Sequence, residues 1–308
     1  MSKILVIGSS NTDLIAKLKK FPKEGETIKG RAYLQAMGGK GANQALAAHR
    51  LGGDVRFVTC LGNDANGLNA IEYYKKEGLD ASLSLIVDDT PSGVAMIWVD
   101  DSGENSIVII AGANDKLRPD YIKQIEDEIL KSDLIVLQME IPYETVKYIC
   151  GFASKNNKQV MLNVAPAMDL DSDVINKIDI LVVNETEAEL VSGESIEQIG
   201  VEAVVDKLRV MGVKTVVLTL GDKGAVLKND ELYLRVPAFS VDPVDTTAAG
   251  DTFCGALAAG LSKGNSWQQA LEFASAAAAI CVTRMGAQPS IPVESEVVGF
   301  LNMNKMNS

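Results

Sequence analysis

The segment DTTAAGDTFCGA, which runs from Asp245 to Ala256, holds two aspartates and almost no bulky side chain. Three small residues precede the second aspartate: Ala248, Ala249 and Gly250. The residues TFCGALAAGLSKG that follow predict a helix ending at Gly264, so the small residues lie at its amino end. Backbone N–H groups are free there and the helix dipole is positive, so an anion could bind within hydrogen-bonding distance.

Asp251 falls in the first turn of this predicted helix, beside the predicted anion site. An ionised carboxylate in that position can take the proton of a hydroxyl as the hydroxyl attacks a phosphoryl group. Phosphoryl transfer needs little beyond positioning and charge stabilisation. The segment therefore predicts an anion hole next to a base, while ordinary helix capping by Asp251 is the structural alternative.

A second segment, AMGGKGANQA from Ala36 to Ala45, places three glycines around Lys40. Its spacing is neither that of the GxxxxGK[ST] phosphate loop nor that of the GxGxxG fingerprint. One interpretation is a glycine-rich turn at the start of a helix. The other is a site where the backbone, lacking Cβ atoms, approaches a small ligand closely and Asn43 offers its amide to a hydroxyl.

Polar residues at other predicted strand ends could complete a site for a small polyhydroxylated ligand. Asn11 and Asp13 follow the first predicted strand, where they could accept from neighbouring hydroxyls. A turn or a helix cap would use the same two residues. Glu140 ends the apolar run DLIVLQME, where it could bind a ligand or cap the helix after Pro142.

The elements that must position these residues alternate between apolar strands and helices. Strand-like runs such as KILVIGS, DLIVLQME, QVMLNVAP, DILVVN and TVVLTLG are separated by helical stretches. Such βα units predict an α/β fold with a Rossmann-like, mainly parallel sheet covered by helices on both faces. Ligands bind beyond the carboxyl ends of such strands, which is where SSNTD, QMEIP, NVAPA, NETE and TLGDKG fall.

Two regions lack helices and interrupt this pattern. ETIKGRAYLQA, from Glu26 to Ala36, has strand-like runs, and the stretch from Ser82 to Gly112 has three more, separated by turns. They predict a small antiparallel β-sheet at one end of the main sheet. Since no linker or repeat divides the chain, we predict a single α/β domain over residues 1–308, in which about 13–36 and 90–112 form a β appendage that could be a lid, a dimer surface or both.

Composition argues against several classes of function. A net charge of −12 disfavours binding to nucleic acid, and no apolar run approaches the length of a membrane-spanning helix. The four cysteines show no CxxC spacing, which predicts reduced thiols in a cytoplasmic protein rather than a zinc site. His49 is the single histidine and belongs at the surface or end of a predicted helix, so catalysis would depend on carboxylates.

Two segments make the chain similar to the ribokinase-type sugar kinases over essentially its whole length. They are GGKGANQALAAHRLG and VDTTAAGDTFCGALAAGL, supported by NTD, QME, NETEAE, TLGDKG and VTRMGAQPSIP. The resemblance implies ATP-dependent phosphorylation of D-ribose at its 5-hydroxyl, giving D-ribose 5-phosphate and ADP. It also implies a homodimer formed through the β-sheet lid.

The same resemblance assigns roles to individual positions. Asp251 resembles the family's catalytic base, and its anion hole would be the N–H groups of Ala248, Ala249, Gly250 and Asp251. The positions similar to sugar-binding residues are Asn11, Asp13, Gly39, Lys40, Asn43, Glu140 and Asp251. The positions similar to nucleotide-binding residues are Asn184, Thr219, Leu220, Gly221, Asp222, Lys223, Gly224 and Gly250, with Ser275 where some relatives carry a histidine beside the adenine.

Two cations are implied in the same way. Asn184 and Glu187 resemble the motif that organises Mg²⁺ and phosphate through water. The positions similar to a K⁺ site are Asp245, Thr247, Cys281, Arg284, Gly286 and Ser290. In the family this K⁺ ion activates the enzyme by organising the loop that forms the anion hole.

The residues leave two other functions open. A related kinase could act on deoxyribose, fructose or a nucleoside, although a nucleobase needs an aromatic or apolar slot and aromatics form only 5% of the chain. A non-catalytic sugar sensor on the same fold is the second alternative, because fold alone never fixes function. Measuring ADP release with a panel of sugars distinguishes them.

Overall fold

A sheet of eight strands forms the centre of the computed structural model, which describes residues 2–102 and 104–306. The strands in this part of the chain are β1 (Lys3–Ile7), β2 (Asn11–Lys17), β3 (Ala32–Gly38), β4 (Asp54–Val58), β5 (Cys60–Gly62), β6 (Leu85–Val87), β7 (Gly93–Val99), β8 (Asn105–Ile110), β9 (Leu134–Leu137), β10 (Gln159–Asn163), β11 (Ile180–Asn184), β12 (Thr215–Thr219), β13 (Ala225–Lys228) and β14 (Tyr233–Val236). The main sheet has the order β14-β13-β12-β11-β10-β9-β1-β4. The strands from β12 to β4 run parallel, and β13 and β14 are antiparallel at one edge.

Helices connect the parallel strands. The α-helices in the described ranges are α1 (Lys40–Arg50), α2 (Ala65–Glu77), α3 (Pro119–Ile122), α4 (Glu126–Lys131), α5 (Tyr143–Lys155), α6 (Ser172–Ile175), α7 (Glu185–Ser192), α8 (Ile196–Ile199), α9 (Val201–Val210), α10 (Ala249–Ser262), α11 (Trp267–Val282) and α12 (Glu294–Met306). Short 3-10 helices are formed by Gly112–Lys116, Lys123–Ile125, Gly221–Lys223 and Gln288–Ser290.

Successive residues of β1 enter two different hydrophobic cores. Ile4 and Val6 pack in one core with residues of α1, α10 and α11. Leu5 and Ile7 pack in the other with residues of α5 and α9. Because both faces of the strand are buried, it reads as a continuous apolar run rather than an alternating one. The prediction of a mainly parallel sheet with helices on both faces is confirmed.

Helix α11 contains the most apolar run of the chain, FASAAAAICV. Small residues let this helix pack closely on α10, where a Cβ atom on Gly260 would lie 3.3 Å from Ala270. The run is therefore explained by helix–helix packing in the core. Within residues 2–102 and 104–306, no helix has both the length and the apolar character needed to cross a membrane.

A separate sheet of four strands, here called the lid sheet, has the order β3-β2-β7-β8. The outer pairs are antiparallel, but the central pair β2–β7 is parallel. The expectation of an antiparallel sheet is therefore wrong. The reason is the connection: β2 and β7 are separated by β3, α1, β4, β5, α2 and β6, which is long enough for the chain to return in the same direction.

The strand-only regions also differ in extent from the sequence prediction. In the stretch from Glu26 to Ala36 the strand begins only at Ala32, after a charged, glycine-containing segment. The first strand-like run between Ser82 and Gly112 becomes β6, which pairs with β5 in a two-stranded sheet outside the lid sheet. A hydrogen bond from Leu85 N to Thr59 O holds it there.

The predicted ranges extend slightly beyond the described chain. Residue 103 of the lid range 90–112 lies outside the described residues. Residues 1, 307 and 308 of the predicted domain 1–308 also lie outside them.

Candidate active site

Three of the five predicted strand-end segments, NVAPA, NETE and TLGDKG, meet at the carboxyl edge of the main sheet around a cavity of about 250 Å³, whereas no residue of SSNTD or QMEIP is among the described residues that line it. Strands β10, β11 and β12 contribute their last residues, while α1 and α10 contribute their first turns. The predicted site residues that line this cavity are Lys40, Asn184, Glu187, Thr219, Ala248, Ala249, Gly250 and Asp251. The sheet topology thus brings together residues that are far apart in the sequence.

Asp251 lies in the first turn of α10, but its side chain does not cap that helix. The N-cap residue is Ala248, and the cap has no side-chain hydrogen bond. Asp251 instead accepts two bonds from α1, from Asn43 Nδ2 to Oδ2 at 2.9 Å and from Gln44 Nε2 to Oδ1 at 3.0 Å. Both carboxylate oxygens are therefore held, and the helix-capping alternative is wrong.

Glycines allow α1 to approach its neighbours closely enough for these bonds. A Cβ atom on Gly255 of α10 would lie 2.5 Å from Ala47 Cβ and 2.6 Å from Gln44 O. A Cβ atom on Gly41 would lie 2.5 Å from Gly8 C in the turn after β1. Such separations are too short for real contacts, so any side chain at Gly41 or Gly255 would push α1 away from its neighbours.

The amino end of α10 presents free backbone donors to the cavity. Ala248 has φ of 60°, a left-handed conformation that is unfavourable for a residue with a Cβ atom. In the described chain the N–H groups of Ala248, Gly250 and Asp251 have no hydrogen-bond partner. Ala249 N instead donates to Thr246 O at 3.3 Å. Three of the four predicted anion-hole donors are thus available to a ligand.

Lys40, the first residue of α1, lies among carboxylates. Burial lowers the pKa of its ammonium group, but the charges of Asp251, Glu140 and Glu187 outweigh burial and leave the pKa above its usual value. The ammonium group therefore stays charged at neutral pH. It supplies a positive charge at the junction between the cavity and the segment that holds Asp13.

Asp13 and Asn11 lie in β2, not in a turn after the first strand. The chain enters β2 only three residues after β1, so these side chains belong to the lid sheet. Burial, together with the charges of Glu140 and Asp251, raises the pKa of Asp13 to about 7. Asn11 Oδ1 accepts a hydrogen bond from Asn114 Nδ2 at 2.8 Å.

Two further glycines make room beside these residues. A Cβ atom on Gly38 would lie 2.2 Å from Oδ2 of Asp13. Gly39 has φ of 90°, and its Cβ atom would lie 2.7 Å from Asn11 N. The segment is therefore a glycine-dependent turn at the start of α1, and it also leaves bare backbone beside the Asp13 carboxylate.

Glu140 caps α1 rather than the helix after Pro142. Its Oε2 accepts hydrogen bonds from Ser9 Oγ at 2.6 Å and from Lys40 N at 3.0 Å. Helix α5 begins at Tyr143, and its N-cap Pro142 makes no side-chain hydrogen bond. The carboxylate therefore ties the start of α1 to the loop after β9, and the alternative of capping α5 is wrong.

Asn184 and Glu187 form a capping box at the start of α7. Asn184 Oδ1 accepts from Glu187 N, and Glu187 Oε2 accepts from Asn184 N, each at 2.8 Å. Burial is the largest influence on Glu187 and raises the pKa of its carboxyl group. The NxxE motif thus has a structural role, and both residues also line the cavity.

The predicted nucleotide loop follows Thr219 at the end of β12. Gly221 and Gly224 have φ of 56° and 96°, and a Cβ atom on Gly224 would lie 2.0 Å from Val236 O. Between them, Asp222 and Lys223 are exposed, while Leu220 is buried. Ser275 is buried in α11 and, in the structure as described, is not among the residues that line the cavity.

The predicted K⁺ ligands come together where the loop before α10 meets the carboxyl end of α11 and the segment that follows it. Asp245 Oδ1 accepts from Thr247 N at 2.9 Å and from Thr247 Oγ1 at 2.6 Å, and Asp245 Oδ2 accepts from Gly286 N at 2.9 Å. Burial alone would raise the pKa of Asp245, but these hydrogen bonds outweigh it and lower the pKa. Asp245 is therefore ionised at neutral pH.

The remaining members of this group surround a buried thiol. Cys281 Sγ lies 3.0 Å from Ser290 Oγ and 3.7 Å from Thr247 O. The Arg284 guanidinium is positively charged, has no acceptor atom and is paired with Glu296, so only the backbone oxygen of Arg284 could bind a cation. Elsewhere in the described chain, too, no cluster of three or more His, Cys, Asp or Glu side chains could hold a metal. Any cation here would depend on Asp245 and backbone oxygens, which suit a hard ion.

Sequence reasoning missed several residues of the site, which are Gln44, Asn163, Thr246 and Cys254. Asn163 ends β10 inside NVAPA. The expectation that ligands bind beyond the carboxyl ends of the strands therefore identified its segment but not the residue itself. Burial raises the pKa of the Cys254 thiol well above its usual value, which leaves it neutral. His49 lies in the last turn of α1 with Nε2 3.0 Å from Glu77 O, as predicted for a helix-end residue.

Known proteins match the chain over nearly its whole length. Residues 1–294 match the pfkB family of carbohydrate kinases. The chain is 41% identical over 300 residues to ribokinase from Haemophilus influenzae, covering 97% of this chain and 98% of the relative. It is 38% identical over 308 residues to deoxyribokinase from Salmonella typhi, covering 98% of this chain and 99% of the relative.

The fold is also similar to a solved structure with both substrates bound. Arabidopsis thaliana ribokinase complexed with ribose and ATP superposes with a TM-score of 0.92 at 34% sequence identity. The similarity covers 97% of this chain and 98% of that chain. The likeness therefore extends over the lid sheet as well as the main sheet.

Proposed function

The chain belongs to the pfkB family of carbohydrate kinases, and on that basis we propose that it phosphorylates D-ribose at the 5-hydroxyl with ATP. The products would be D-ribose 5-phosphate and ADP. Similarity to the ribokinase of H. influenzae and to the ribose- and ATP-bound enzyme of A. thaliana supports this pair of substrates. The single observation that carries the chemistry is Asp251, a proton acceptor fixed beside the free N–H groups of α10.

In the proposed step Asp251 takes the proton of the 5-hydroxyl as that oxygen attacks the γ-phosphorus of ATP. The new O–P bond forms as the bond from the γ-phosphorus to the bridging oxygen breaks, and ADP leaves with that electron pair. The free N–H groups of Ala248, Gly250 and Asp251 stabilise the charge on the γ-phosphoryl oxygens. Lys40 adds a positive charge on the sugar side of the same cavity.

Sugar binding would satisfy groups that the protein leaves unpaired. Asn43 Oδ1 is buried and has no partner in the described chain, so a sugar hydroxyl donating to it would remove an energetic cost. Asp13, when ionised, can accept from two neighbouring hydroxyls. Asn11, Gly39 and Glu140 lie beside it and complete the proposed sugar site. The nucleotide would lie along Thr219 and the loop from Leu220 to Gly224.

The residues fit the two proposed cations. Asp245 and the oxygens around it would hold K⁺, whose charge steadies the loop that leads into the anion hole. Asn184 and Glu187 would organise Mg²⁺ through water, since one oxygen of Glu187 stays uncommitted within the described residues. Mg²⁺ bound with ATP would neutralise phosphate charge.

We further propose a homodimer formed through the lid sheet. Leu34 of β3 and Ile107 and Ile109 of β8 are 55%, 51% and 47% exposed, respectively, and large apolar side chains grouped on one sheet mark an interaction surface.

All four cysteines are buried and free, which fits the proposed cytoplasmic location.

Deoxyribose is the second candidate substrate, because a deoxyribokinase at 38% identity is nearly as similar to this chain as the H. influenzae ribokinase at 41%. The deciding experiment is ADP release measured with D-ribose, 2-deoxy-D-ribose, D-fructose and adenosine, each with and without K⁺. We expect the highest kcat/KM with D-ribose. Preference for another sugar would show that this sugar, and not D-ribose, is the substrate. Ribose binding without ADP release would indicate a sensor.

A further inference from the structure

Gln44 is wholly buried beneath the cavity and connects four elements. Its Nε2 donates to Asp251 Oδ1 and to Asn163 Oδ1, both at 3.0 Å. Its Oε1 accepts from Gln138 Nε2 at 2.8 Å. Asp251 and Asn163 line the cavity but Gln44 does not, so Gln44 can influence a ligand only through its two partners.

We infer that Gln44 is a positioning residue for the base, an inference that rests on the proposed function of Asp251. The terminal torsion of an aspartate side chain is broad, so a carboxylate held at one oxygen can still rotate. Asn43 holds Oδ2 and Gln44 holds Oδ1, which fixes the plane of the carboxylate. With that plane fixed, the remaining lone pairs keep one direction towards the hydroxyl to be deprotonated.

The surrounding bonds determine which end of the Gln44 amide faces Asp251. Gln138 donates to Gln44 Oε1, and Asn163 Nδ2 is already engaged with Val182 O at 3.1 Å. A flipped Gln44 amide would point its oxygen at the carboxylates of Asp251 and at Asn163 Oδ1, which are both acceptors. The network therefore admits one orientation, with the NH₂ group towards the base.

Gln44 and Asn43 hold the same carboxylate but differ in what else they contact. Asn43 Oδ1 is buried and has no partner among the described residues, so Asn43 is also placed to bind the sugar. The polar atoms of Gln44 are all engaged by protein groups. Removing the Gln44 amide should therefore lower kcat while leaving sugar binding almost unchanged.

The test compares Gln44→Met with Gln138→Met, two substitutions of similar volume at fully buried sites. Each removes the Gln138–Gln44 bond, but only Gln44→Met also frees Asp251 Oδ1. For Gln44→Met we expect kcat to fall about 10- to 100-fold and the Kd of ribose, measured by calorimetry, to change less than about threefold. For Gln138→Met we expect kcat to fall no more than about threefold, with a comparable loss in Tm.

A double-mutant cycle separates positioning from a general loss of packing. In an Asp251→Asn background, Gln44→Met should have little further effect on the residual rate, because the group that it positions is gone. Unchanged kcat in Gln44→Met, or a parallel loss of kcat and ribose affinity, would overturn the inference. If Gln44→Met does not fold, Gln44→Leu, which also removes the amide without adding a charge beside Asp251, takes its place, and the same fall in kcat is required of it.

The outcomes also distinguish this inference from the proposed function. If Asp251→Asn retains near-normal kcat, the assignment of the base fails and the role of Gln44 fails with it. If Asp251→Asn is inactive and Gln44→Met is fully active, only the role of Gln44 fails.

Discussion

Asn43 donates from Nδ2 to Oδ2 of Asp251 at 2.9 Å and so joins two helices whose bonded residues are 208 positions apart in the sequence. Each helix begins in a segment of small residues, and those segments let the helices meet closely enough for the bond. The bond also shows that Asp251 does not cap α10, because an aspartate that caps its own helix could not face another helix in this way. The proposed base and the segment proposed to bind the sugar are therefore joined directly by this bond.

Replacing Asp251 by asparagine should abolish turnover without abolishing sugar binding. The proton acceptor is lost while Asn43 and Lys40 remain, so we expect kcat to fall at least about 1,000-fold. Ribose affinity measured by calorimetry should stay within about tenfold, since the shape of the site is kept. Asp54→Asn, at the opposite edge of the main sheet, is the control and should be fully active. Near-normal kcat in Asp251→Asn would show that another group takes the proton.

Adding one methyl group at Gly250 should separate function from stability. A Cβ atom there meets no atom within 4 Å, so the fold tolerates it, and alanine in a helix is favoured over glycine by up to about 1 kcal/mol. The methyl group would nevertheless occupy the space in which the phosphoryl group approaches the free N–H groups. We therefore expect unchanged or higher Tm with kcat/KM lower by at least about 100-fold.

The matched control for this substitution is Gly151→Ala in α5, where a Cβ atom also meets nothing within 4 Å. It should show the same effect on Tm and full activity. Equal activity of the two alanine variants would place the phosphoryl group elsewhere than at the amino end of α10.

Removing the charge of Asp245 should remove the response to K⁺. In the unaltered protein, KCl in place of tetramethylammonium chloride at equal ionic strength should stimulate ADP release. It should also raise Tm by roughly 2–4 °C, as expected for about 1 kcal/mol of binding energy. Both responses should disappear in Asp245→Asn and persist in the exposed control Asp242→Asn. A Tm response to K⁺ that persists in Asp245→Asn would show that the cation binds at another site.

Much of the fold could be predicted because its strands are buried on both faces. The runs that became β1, β9, β10, β11 and β12 are continuous apolar segments bounded by polar turns, and each was located from that pattern alone. The lid sheet was located but its pairing was not, since the parallel contact of β2 with β7 depends on a long connection rather than on any local signal.

The residues that hold the site residues in position could not be predicted. Gln44 occupies a helical position whose neighbours are mostly alanine, and nothing local indicates that its amide reaches Asp251 across to another helix. The sequence does not predict the left-handed conformation of Ala248 either, because glycine is the residue expected in that conformation. The contact of Gln44 with Asp251 arises from the close approach of α1 and α10, which only the packed structure determines.

Asp13 is buried beside two other carboxylates, and its energetics differ from those of an ordinary aspartate. Its pKa rises from 3.8 to about 7 because of burial first and the charges of Glu140 and Asp251 second. The folded chain therefore binds this proton more tightly than the unfolded chain does. The resulting stabilisation is fully present below pH 3.8 and is lost as the pH rises through about 7.

Asp13→Asn should consequently make the protein more stable at about pH 8 than the unaltered chain, by about 2–4 kcal/mol, with the difference vanishing near pH 4. Urea unfolding across this pH range measures the effect, and ribose binding at about pH 8 should be weakened because the ionised acceptor is gone. Asp64→Asn is the control, for which we expect the opposite change in stability. Hydrogen bonds from Gly67 and Ser92 outweigh burial and lower the pKa of Asp64, so the Asp64→Asn variant should be less stable than the unaltered chain at neutral pH. A pH-independent difference for Asp13→Asn would contradict the raised pKa.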